Sequence, residues 1–317
     1  MENTNWVGVD THKNTLACYS RNDFREFSTT DSGYKKALEW AGENAVFAIE
    51  GAYCFGRPFA NYLINKKRKV YEINPFITKS WRSALSANGN KNDYGDAKVI
   101  SIFSKNLKLQ EISLKTIKLK ENLTAREQLV KQRTSLINAI KMLISTRGIE
   151  APCRDFTTQK AVNYFKNQDD IILQNYSKLI EEINKSINIF EKEIYKLVPD
   201  KVFELTNICG IEKLTAAIIY AETKGKLTTK AAFANYCALA PIEDSSGKTR
   251  KHSTNHRGNR TLNSIFFRIA LSQMRYDERG KAYYERKLSE GKTKRQARKC
   301  LVRQLTNVVF RVLNQVQ

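Results

Sequence analysis

The chain has 317 residues, of which 41% are hydrophobic and 10% aromatic, enough to build two or three hydrophobic cores. It carries 54 Lys and Arg against 32 Asp and Glu, a formal net charge of +22. No long apolar run occurs, and the N-terminus lacks the basic and apolar stretches of a signal peptide. We therefore expect a cytoplasmic protein with no membrane partner.

The positive charge is concentrated toward the C-terminal end. Residues 1–100 hold 14 Lys and Arg against 11 Asp and Glu, whereas residues 246–317 hold 18 against 4. Aromatic and small polar residues lie among these cations, unlike in a disordered lysine tail. The pattern favours a polyanion-binding surface over a merely solubilising charge.

The cysteines and histidines argue against a zinc site. Six cysteines are scattered without a CxxC pair, and only three histidines occur. The thiols are therefore expected to be reduced and mostly buried. If a metal binds, its ligands should be carboxylates, which favour Mg²⁺ or Mn²⁺.

The first hundred residues alternate between predicted strands and helices. Apolar runs predict three early strands joined by tight turns, at residues 6–10, 15–19 and 24–27. A helix follows, capped by Asp31 or Ser32, and two more strands at residues 45–49 and 69–73 are each followed by a helix. We expect the early strands to be antiparallel and the later ones parallel, within an α/β domain.

Four carboxylates occupy special positions in this pattern. Asp10 and Glu50 end two predicted strands, and Asp93 and Asp96 lie three residues apart at the head of a helix, on one face. Ligands of such sheets gather at the carboxyl ends of the strands, so the four can converge on two divalent ions. Taken singly, Asp93 and Asp96 are better explained as helix caps, and Asp10 and Glu50 as a turn residue and a surface acid. His12 can contact a phosphate or simply lie on the surface.

Helical periodicity dominates the middle of the chain. An apolar stripe from Leu129 to Leu143 predicts one helix, ending around Gly148. A second, from Ile183 to Leu197, has the alternating spacings of three and four that are typical of a coiled coil. The two helices can pair within one chain or join two protomers, and we favour a contribution to dimerisation.

The C-terminal part is predicted to be helical, with one polar, basic loop at residues 241–252. A glycine turn at residues 208–211 can offer backbone N–H groups to a phosphate or serve only as a packing corner. The loop contains Ser246, followed by Gly247 and Lys248. A serine before a glycine is usually a turn residue, although a serine among cations can attack a phosphodiester. Composition alone favours the turn.

Motifs from both ends together resemble the DEDD transposases of bacterial insertion sequences (the "IS one-ten" group), which are relatives of the Piv DNA invertase. The resemblance covers most of the chain, and the order and spacing of the motifs make it specific. The motifs are Gly8-Val9-Asp10, Ile49-Glu50, Ile73-Asn74-Pro75, residues 91–97, Ile208-Cys209-Gly210-Ile211, Leu239-Ala240-Pro241, Ser246-Gly247-Lys248 and Arg257-Gly258-Asn259.

This resemblance implies a fold and a domain plan. Residues 1–112 are expected to form a RuvC-like, RNase H-type α/β catalytic domain. Residues 113–200 are expected to form a long helical coiled-coil region that serves dimerisation. Residues 201–317 are expected to form an all-α transposase domain that carries the serine loop.

The resemblance also implies the site. The metal-binding catalytic tetrad maps to Asp10, Glu50, Asp93 and Asp96, with Mg²⁺ or Mn²⁺ as cofactor, and the nucleophile maps to Ser246. Ser245 stands beside it as the alternative. The basic residues expected to contact nucleic acid are Lys248, Arg250, Lys251, Arg257 and Arg260.

The function implied is that of a bacterial transposase that cuts and rejoins donor and target DNA. Family members are guided by a structured RNA and pair the acidic site of one protomer with the serine of another, so a dimer or tetramer is expected. A Piv-like invertase is a close variant. More distant rivals are a RuvC-like nuclease that uses a metal-activated water and a non-catalytic nucleic-acid-binding protein.

Overall fold

A computed structural model gives the fold. It describes residues 4–73, 75–85, 92–106, 109, 111–151, 153–223, 229–246, 249–253, 255 and 258–315. Within residues 242–246 and 249–253 only the backbone is described.

The N-terminal region is built on a five-stranded mixed sheet. Its strand order is β3-β2-β1-β4-β5; β1 pairs antiparallel with β2, and β4 runs parallel to both β1 and β5. The predicted α/β sheet and the predicted strand directions are confirmed. The strands are Asn5–Thr11 (β1), Thr15–Ser20 (β2), Asp23–Ser28 (β3), Ala45–Glu50 (β4) and Val70–Ile73 (β5).

Four helices accompany this sheet: Asp31–Ala41 (α1), Arg57–Asn65 (α2), Pro75–Leu85 (α3) and Asp93–Ser104 (α4). Thr30 caps α1 through a hydrogen bond from the backbone N–H of Gly33, in place of the predicted Asp31 or Ser32. Helix α3 was not predicted, because Asn74-Pro75 was interpreted only as the end of a strand. A proline is nevertheless well suited to the first position of a helix.

Alternation along the strands gives the sheet two apolar faces. Val7 and Val9 of β1 are fully buried in a core that includes Phe59 of α2. On the opposite face Ala48 of β4 packs with Ile100 of α4. Because successive strand residues point to opposite faces, β1 and β4 contribute to both layers.

Helix α4 lies very close to β1. A Cβ atom added at Gly8 would be 2.1 Å from the carbonyl oxygen of Ala97, so only glycine allows this approach. The Ser101 hydroxyl donates a hydrogen bond of 2.9 Å to the carbonyl oxygen of Trp6 and holds the helix in place. The first turn of α4 is therefore fixed near the carboxyl end of β1.

The middle region contains helices Leu114–Arg147 (α5), Gln159–Lys166 (α6) and Ile171–Leu197 (α7). Arg126 pairs with Glu191 and Arg133 donates to Asn184, each at 2.7 Å, so α5 and α7 run antiparallel within the chain. Helix α5 ends at Gly148, whose φ of 66° is in the left-handed region. The two predicted helices are confirmed as an intrachain pair, whereas the coiled coil and the dimerisation stay predictions.

The C-terminal region is mostly helical around a core that includes Phe233 and Phe266. Among the described residues no helix is long and apolar enough to cross a membrane. The elements are a 3-10 helix at Asp200–Asn207 and then Lys213–Thr223 (α8), Lys230–Tyr236 (α9), Ile242–Ser246 (β6), Thr249–Ser253 (β7), Arg260–Tyr276 (α10), Glu278–Ser289 (α11) and Lys294–Asn314 (α12).

The expectation of an all-α C-terminal domain is wrong at the serine loop. Strands β6 and β7 form an antiparallel hairpin in which Asp244 lies opposite Lys251 and Ser246 opposite Thr249. The polar composition of this stretch concealed the strands, because they lack an apolar alternation.

The predicted domain boundaries fall at structural transitions but stay predictions. Ser113 caps α5, and Pro199 precedes the 3-10 helix. The first turns of α5 contribute Ile117 to the N-terminal core and Leu119 to the C-terminal core. Helix α5 thus packs in both the N-terminal and the C-terminal hydrophobic core.

Candidate active site

Two of the candidate carboxylates lie side by side at the carboxyl ends of neighbouring parallel strands. The register pairs Val9 of β1 with Ile49 of β4, so Asp10 and Glu50 are the next residues on each strand. The Thr11 hydroxyl donates to the carbonyl oxygen of Glu50 at 2.9 Å and ties the two strand ends together. Asp10 is only 8% exposed.

The other two carboxylates come from the first turn of α4. Asn92 caps this helix, and its Oδ1 accepts a 2.6 Å hydrogen bond from the backbone N–H of Gly95. The interpretation of Asp93 and Asp96 as caps is therefore wrong. Asp96 is 2% exposed, whereas the side chain of Asp93 is 43% exposed.

The four carboxylates form one electrostatic cluster. Burial raises the pKa of Asp10 above its ordinary value; His12 opposes the rise, and Asp96 and Asp93 add to it. Burial likewise raises the pKa of Glu50, with contributions in the same direction from Asp10 and Asp96. Asp10 therefore lies within electrostatic range of Asp93 and Asp96, and Glu50 lies within range of Asp10 and Asp96.

His12 is part of this cluster. Its Nε2 atom lies 3.1 Å from Asp93 Oδ1 and 3.5 Å from Asp10 Oδ2. Asp10, His12 and Asp93 can each direct one ligand atom to a common point, within 4.8 Å of one another. The expectation that only carboxylates would be available as ligands therefore omitted a nitrogen. The signal was present in the sequence, because His12 directly follows the strand that carries Asp10.

Arg82 was missed altogether. Its guanidinium forms an ion pair with Asp96, and the two side chains are 15% and 3% exposed. Arg82 lies on α3, the helix that was not predicted, so sequence patterns gave no reason to place it here. It supplies positive charge inside the acidic cluster.

The residues present fit a divalent metal ion. A hydrogen bond from the Thr78 side chain lowers the pKa of Glu50 less than burial raises it, so this carboxylate is incompletely compensated. A half-buried carboxylate that is incompletely compensated is destabilising, and a cation would supply further compensation. Carboxylate oxygens with one imidazole nitrogen suit hard or borderline divalent ions.

The structure describes the predicted residues of the serine loop only in part. Ser246 is the last residue of β6 and Ser245 lies opposite Arg250, but their side chains and those of Arg250 and Lys251 lie outside the described part. Lys248 and Arg257 lie outside the described residues. Arg260 begins α10, where it is exposed and lines a cavity. The structure thus places Asp10 and Asp93 on either side of His12, with Asp96 and Glu50 within electrostatic range of Asp10, and gives the serine only a place in the hairpin register.

Two family models match the chain. One, a transposase model of the DEDD, IS110 type, covers residues 7–146, and the other, "Transposase IS116/IS110/IS902 family", covers residues 204–285. Together they span more than two thirds of the chain. The chain belongs to the IS110 family of DEDD transposases. A search of the curated proteins finds no match.

The IS110-family matches contain both candidate parts of the site. The first includes the acidic cluster together with His12 and Arg82, and the second includes the β6–β7 hairpin and Arg260. The resemblance found from the motifs is confirmed. Membership implies an enzyme that cuts and rejoins DNA.

Proposed function

We propose that this IS110-family transposase cleaves and rejoins DNA strands at a divalent-metal centre held by Asp10, Glu50, Asp93 and Asp96, with Ser246 as the nucleophile. The observation that carries the proposal is the convergence of the four carboxylates at one edge of the sheet. The mixed sheet with acids at its strand ends also supports the RuvC-like, RNase H-type fold that we assign to the N-terminal region.

The chain's own residues have distinct parts in this proposal. Asp10 and the buried Oε2 atom of Glu50 provide ligand oxygens in the interior, and Asp93 provides a more exposed one. Arg82 holds Asp96 in position through their ion pair. A bound Mg²⁺, or Mn²⁺, would polarise the scissile phosphate and stabilise the attacking and leaving oxygens.

The serine step is a transesterification. The hydroxyl oxygen of Ser246 bonds to phosphorus, the bond from phosphorus to the leaving sugar oxygen breaks, and the serine proton ends on that oxygen, which leaves as a hydroxyl. Attack by the hydroxyl group of a new strand end reverses the step and returns the proton to the serine. The cations that would stabilise the phosphate's charge are Lys248, Arg250, Lys251, Arg257 and Arg260. Choice of sequence is left to a structured guide RNA, and a second protomer completes the site, within a dimer or tetramer.

The decisive experiment compares two adjacent serines. Ser246→Ala and its matched control Ser245→Ala are incubated with donor DNA, target DNA, guide RNA and Mg²⁺, and covalent protein–DNA adducts are separated on denaturing gels. We expect Ser246→Ala to lose the adduct and Ser245→Ala to keep it. The reverse pattern would move the nucleophile to Ser245.

The same assay separates the rival functions. Cutting without an adduct in the unaltered protein would favour a nuclease that uses a metal-activated water. Metal-independent binding without strand breakage would favour a non-catalytic binding protein. Inversion between fixed sites, in place of insertion, would identify a Piv-like invertase.

A further inference from the structure

A cavity of about 800 Å³ lies in the C-terminal region, apart from the acidic cluster. It is bounded by the segment after α9, the start of α10, and helices α11 and α12. The volume falls in the range of sites that bind small ligands or single ligand groups.

The lining is strongly positive. It includes Arg260, Lys287, Lys299 and Arg303 and contains no Asp or Glu among the described residues. Glu290, outside the lining, pairs with Lys287 at 2.7 Å. Arg303 donates to the neutral Asn307 at 2.6 Å, so this bond leaves its charge unbalanced. A ligand with phosphate groups complements such a surface.

The cavity is also lined by apolar and aromatic side chains, including Leu239, Phe267 and Tyr283. Phe267 and Tyr283 are half-buried against the C-terminal core, which fixes their positions. A surface that recognises phosphates alone needs no aromatic wall. Cations beside aromatic rings are typical of sites that bind unpaired nucleotides, in which a base packs on a ring and the backbone lies on the cations.

The cavity lies next to the start of the β6–β7 hairpin along the chain. Leu239, Ala240 and Pro241 line it and lead directly into β6. Strand β6 ends at Ser246, five residues later. At about 3.3 Å per residue, the strand spans roughly 16 Å from Pro241 to Ser246.

We propose that this cavity receives an unpaired nucleotide of a nucleic-acid strand, with its base against Phe267 and Tyr283 and its phosphates on Arg260, Lys299 and Arg303. The inference rests on the proposed function, since it takes the strand to be one on which the transposase acts. It adds a nucleotide-binding subsite next to the hairpin. The strand can be DNA or guide RNA, because both share this chemistry.

The test measures binding in the absence of metal. The full-length protein, in EDTA, is titrated against fluorescent single-stranded DNA, single-stranded RNA and duplex DNA, and anisotropy gives the dissociation constants. We expect a single strand to bind more tightly than the duplex, and the tighter of the DNA and RNA arms identifies the source. Equal or weaker binding of both single strands would overturn the proposal.

The aromatic wall is tested with a pair of tyrosines. Tyr283→Leu should weaken single-strand binding about tenfold, since it removes a base-packing ring but keeps an apolar side chain. Tyr276→Leu is the matched control, because Tyr276 lies on α10, is 77% exposed and is outside the lining. Phe267→Leu repeats the test, and only variants that keep the wild-type melting temperature are compared. Unchanged affinity in both lining variants would contradict the proposal.

Oligonucleotides with one abasic position distinguish a contact to the base from a contact to the backbone. One abasic position, moved along the oligonucleotide, should weaken binding about tenfold at one register, and this loss should vanish in Tyr283→Leu. Lys299→Ala should reduce the salt slope by about 0.7, whereas Lys294→Ala, on the same helix but outside the lining, should not. Loss with Lys299→Ala but no abasic effect would show that only the backbone binds, which overturns the nucleotide site.

The binding experiments and the adduct assay test the cavity proposal and the serine chemistry separately. If no adduct forms but the abasic effect is present, the cavity stands and the serine chemistry fails. If the adduct forms and the abasic effect is absent, the proposed function stands and the cavity proposal fails.

Discussion

The acidic cluster and the C-terminal cavity each gather like charges, but they balance them differently. Asp10 and Asp96 are almost fully buried, and Arg82 and His12 supply positive or ionisable groups within the cluster. The lining of the cavity has four cations and no carboxylate among the described residues. The acidic cluster buries two of its four carboxylates, Asp10 and Asp96, whereas the four cations of the cavity are half-buried or exposed.

This difference indicates which kind of charged ligand suits each site. Buried carboxylates are destabilised by desolvation as well as by repulsion, so a compact cation that enters the cluster relieves both. Half-exposed cations are already screened by solvent, and they gain most from an extended polyanion that displaces many counterions.

Removal of one ligand charge should affect chemistry but leave nucleic-acid binding intact. We expect Asp93→Asn to slow Mg²⁺-dependent strand cleavage by about a thousandfold or more, because the lost carboxylate helps to hold the ion at the reacting phosphate. Single-turnover cleavage measures the effect. Anisotropy in EDTA serves as the control and should be unchanged. Normal cleavage by Asp93→Asn would show that Asp93 is not a metal ligand.

The Arg82–Asp96 pair should matter most when no metal is bound. Arg82→Gln leaves the buried Asp96 without its partner beside other carboxylates, which should cost roughly 3 kcal/mol of unfolding free energy. Mg²⁺ should recover part of this loss, so the metal-induced rise in melting temperature should exceed that of the unaltered protein.

The control is an exposed ion pair on the same sheet. Arg25 pairs with Asp23 at 3.0 Å, with both side chains about half exposed. Arg25→Gln should change neither the stability nor the metal response measurably. An equal metal response in Arg82→Gln and the unaltered protein would show that Arg82 and the ion act independently.

Gly8 should control the position of the acidic helix. Gly8→Ala forces a methyl group against the carbonyl of Ala97, so α4 must move away from β1, at a cost of about 1–3 kcal/mol. The displacement should also abolish stabilisation by Mg²⁺ in thermal melts. Gly148→Ala, at the end of α5, should cost about 1 kcal/mol through its positive φ but retain the metal effect. Retention of the effect in Gly8→Ala would contradict this role.

The sequence predicted the parts of the site that lie on regular elements. Asp10 and Glu50 could be assigned to strand ends at one edge of the sheet in advance, because apolar runs define their strands and helical connections favour parallel strands. Gly148 was recognised as a helix end because a glycine follows the apolar helical stripe. These features depend on neighbours in the chain, which a pattern can show.

The missed features depend on tertiary contacts or on polar patterns. Arg82 reaches Asp96 across fourteen residues, from a helix whose initial proline was interpreted as a stop. The β6–β7 hairpin consists mostly of charged and polar residues, so hydrophobic alternation gave no sign of it. Asp93 was first interpreted as a cap because Asn92, the actual cap, is an equally ordinary residue for that role. For the cap, Asn92 and Asp93 were equivalent candidates by sequence, and the folded backbone selected Asn92.

The smallest effect concerns the stability of the acidic cluster without metal. The pKa of Asp10 is raised in the folded protein, mainly by burial, above the ordinary value of 3.8. The folded state therefore binds the proton more tightly than the unfolded chain, and stability falls as pH rises from that value through the raised folded pKa. Asp10→Asn should remove this loss and stabilise the metal-free protein by about 1 kcal/mol at neutral pH.

The pH profile distinguishes this electrostatic gain from a packing effect. The advantage of Asp10→Asn in EDTA should shrink as pH is lowered toward 3.8, where the aspartate of the unaltered protein becomes protonated and loses its repulsion. Glu26→Gln, at an exposed position of β3, should show no such profile. Denaturant unfolding at several pH values provides the measurement. An advantage that is constant with pH would mean that burial and repulsion do not strain Asp10, and the contrast with the C-terminal cavity would then rest on Asp96 and Glu50 alone.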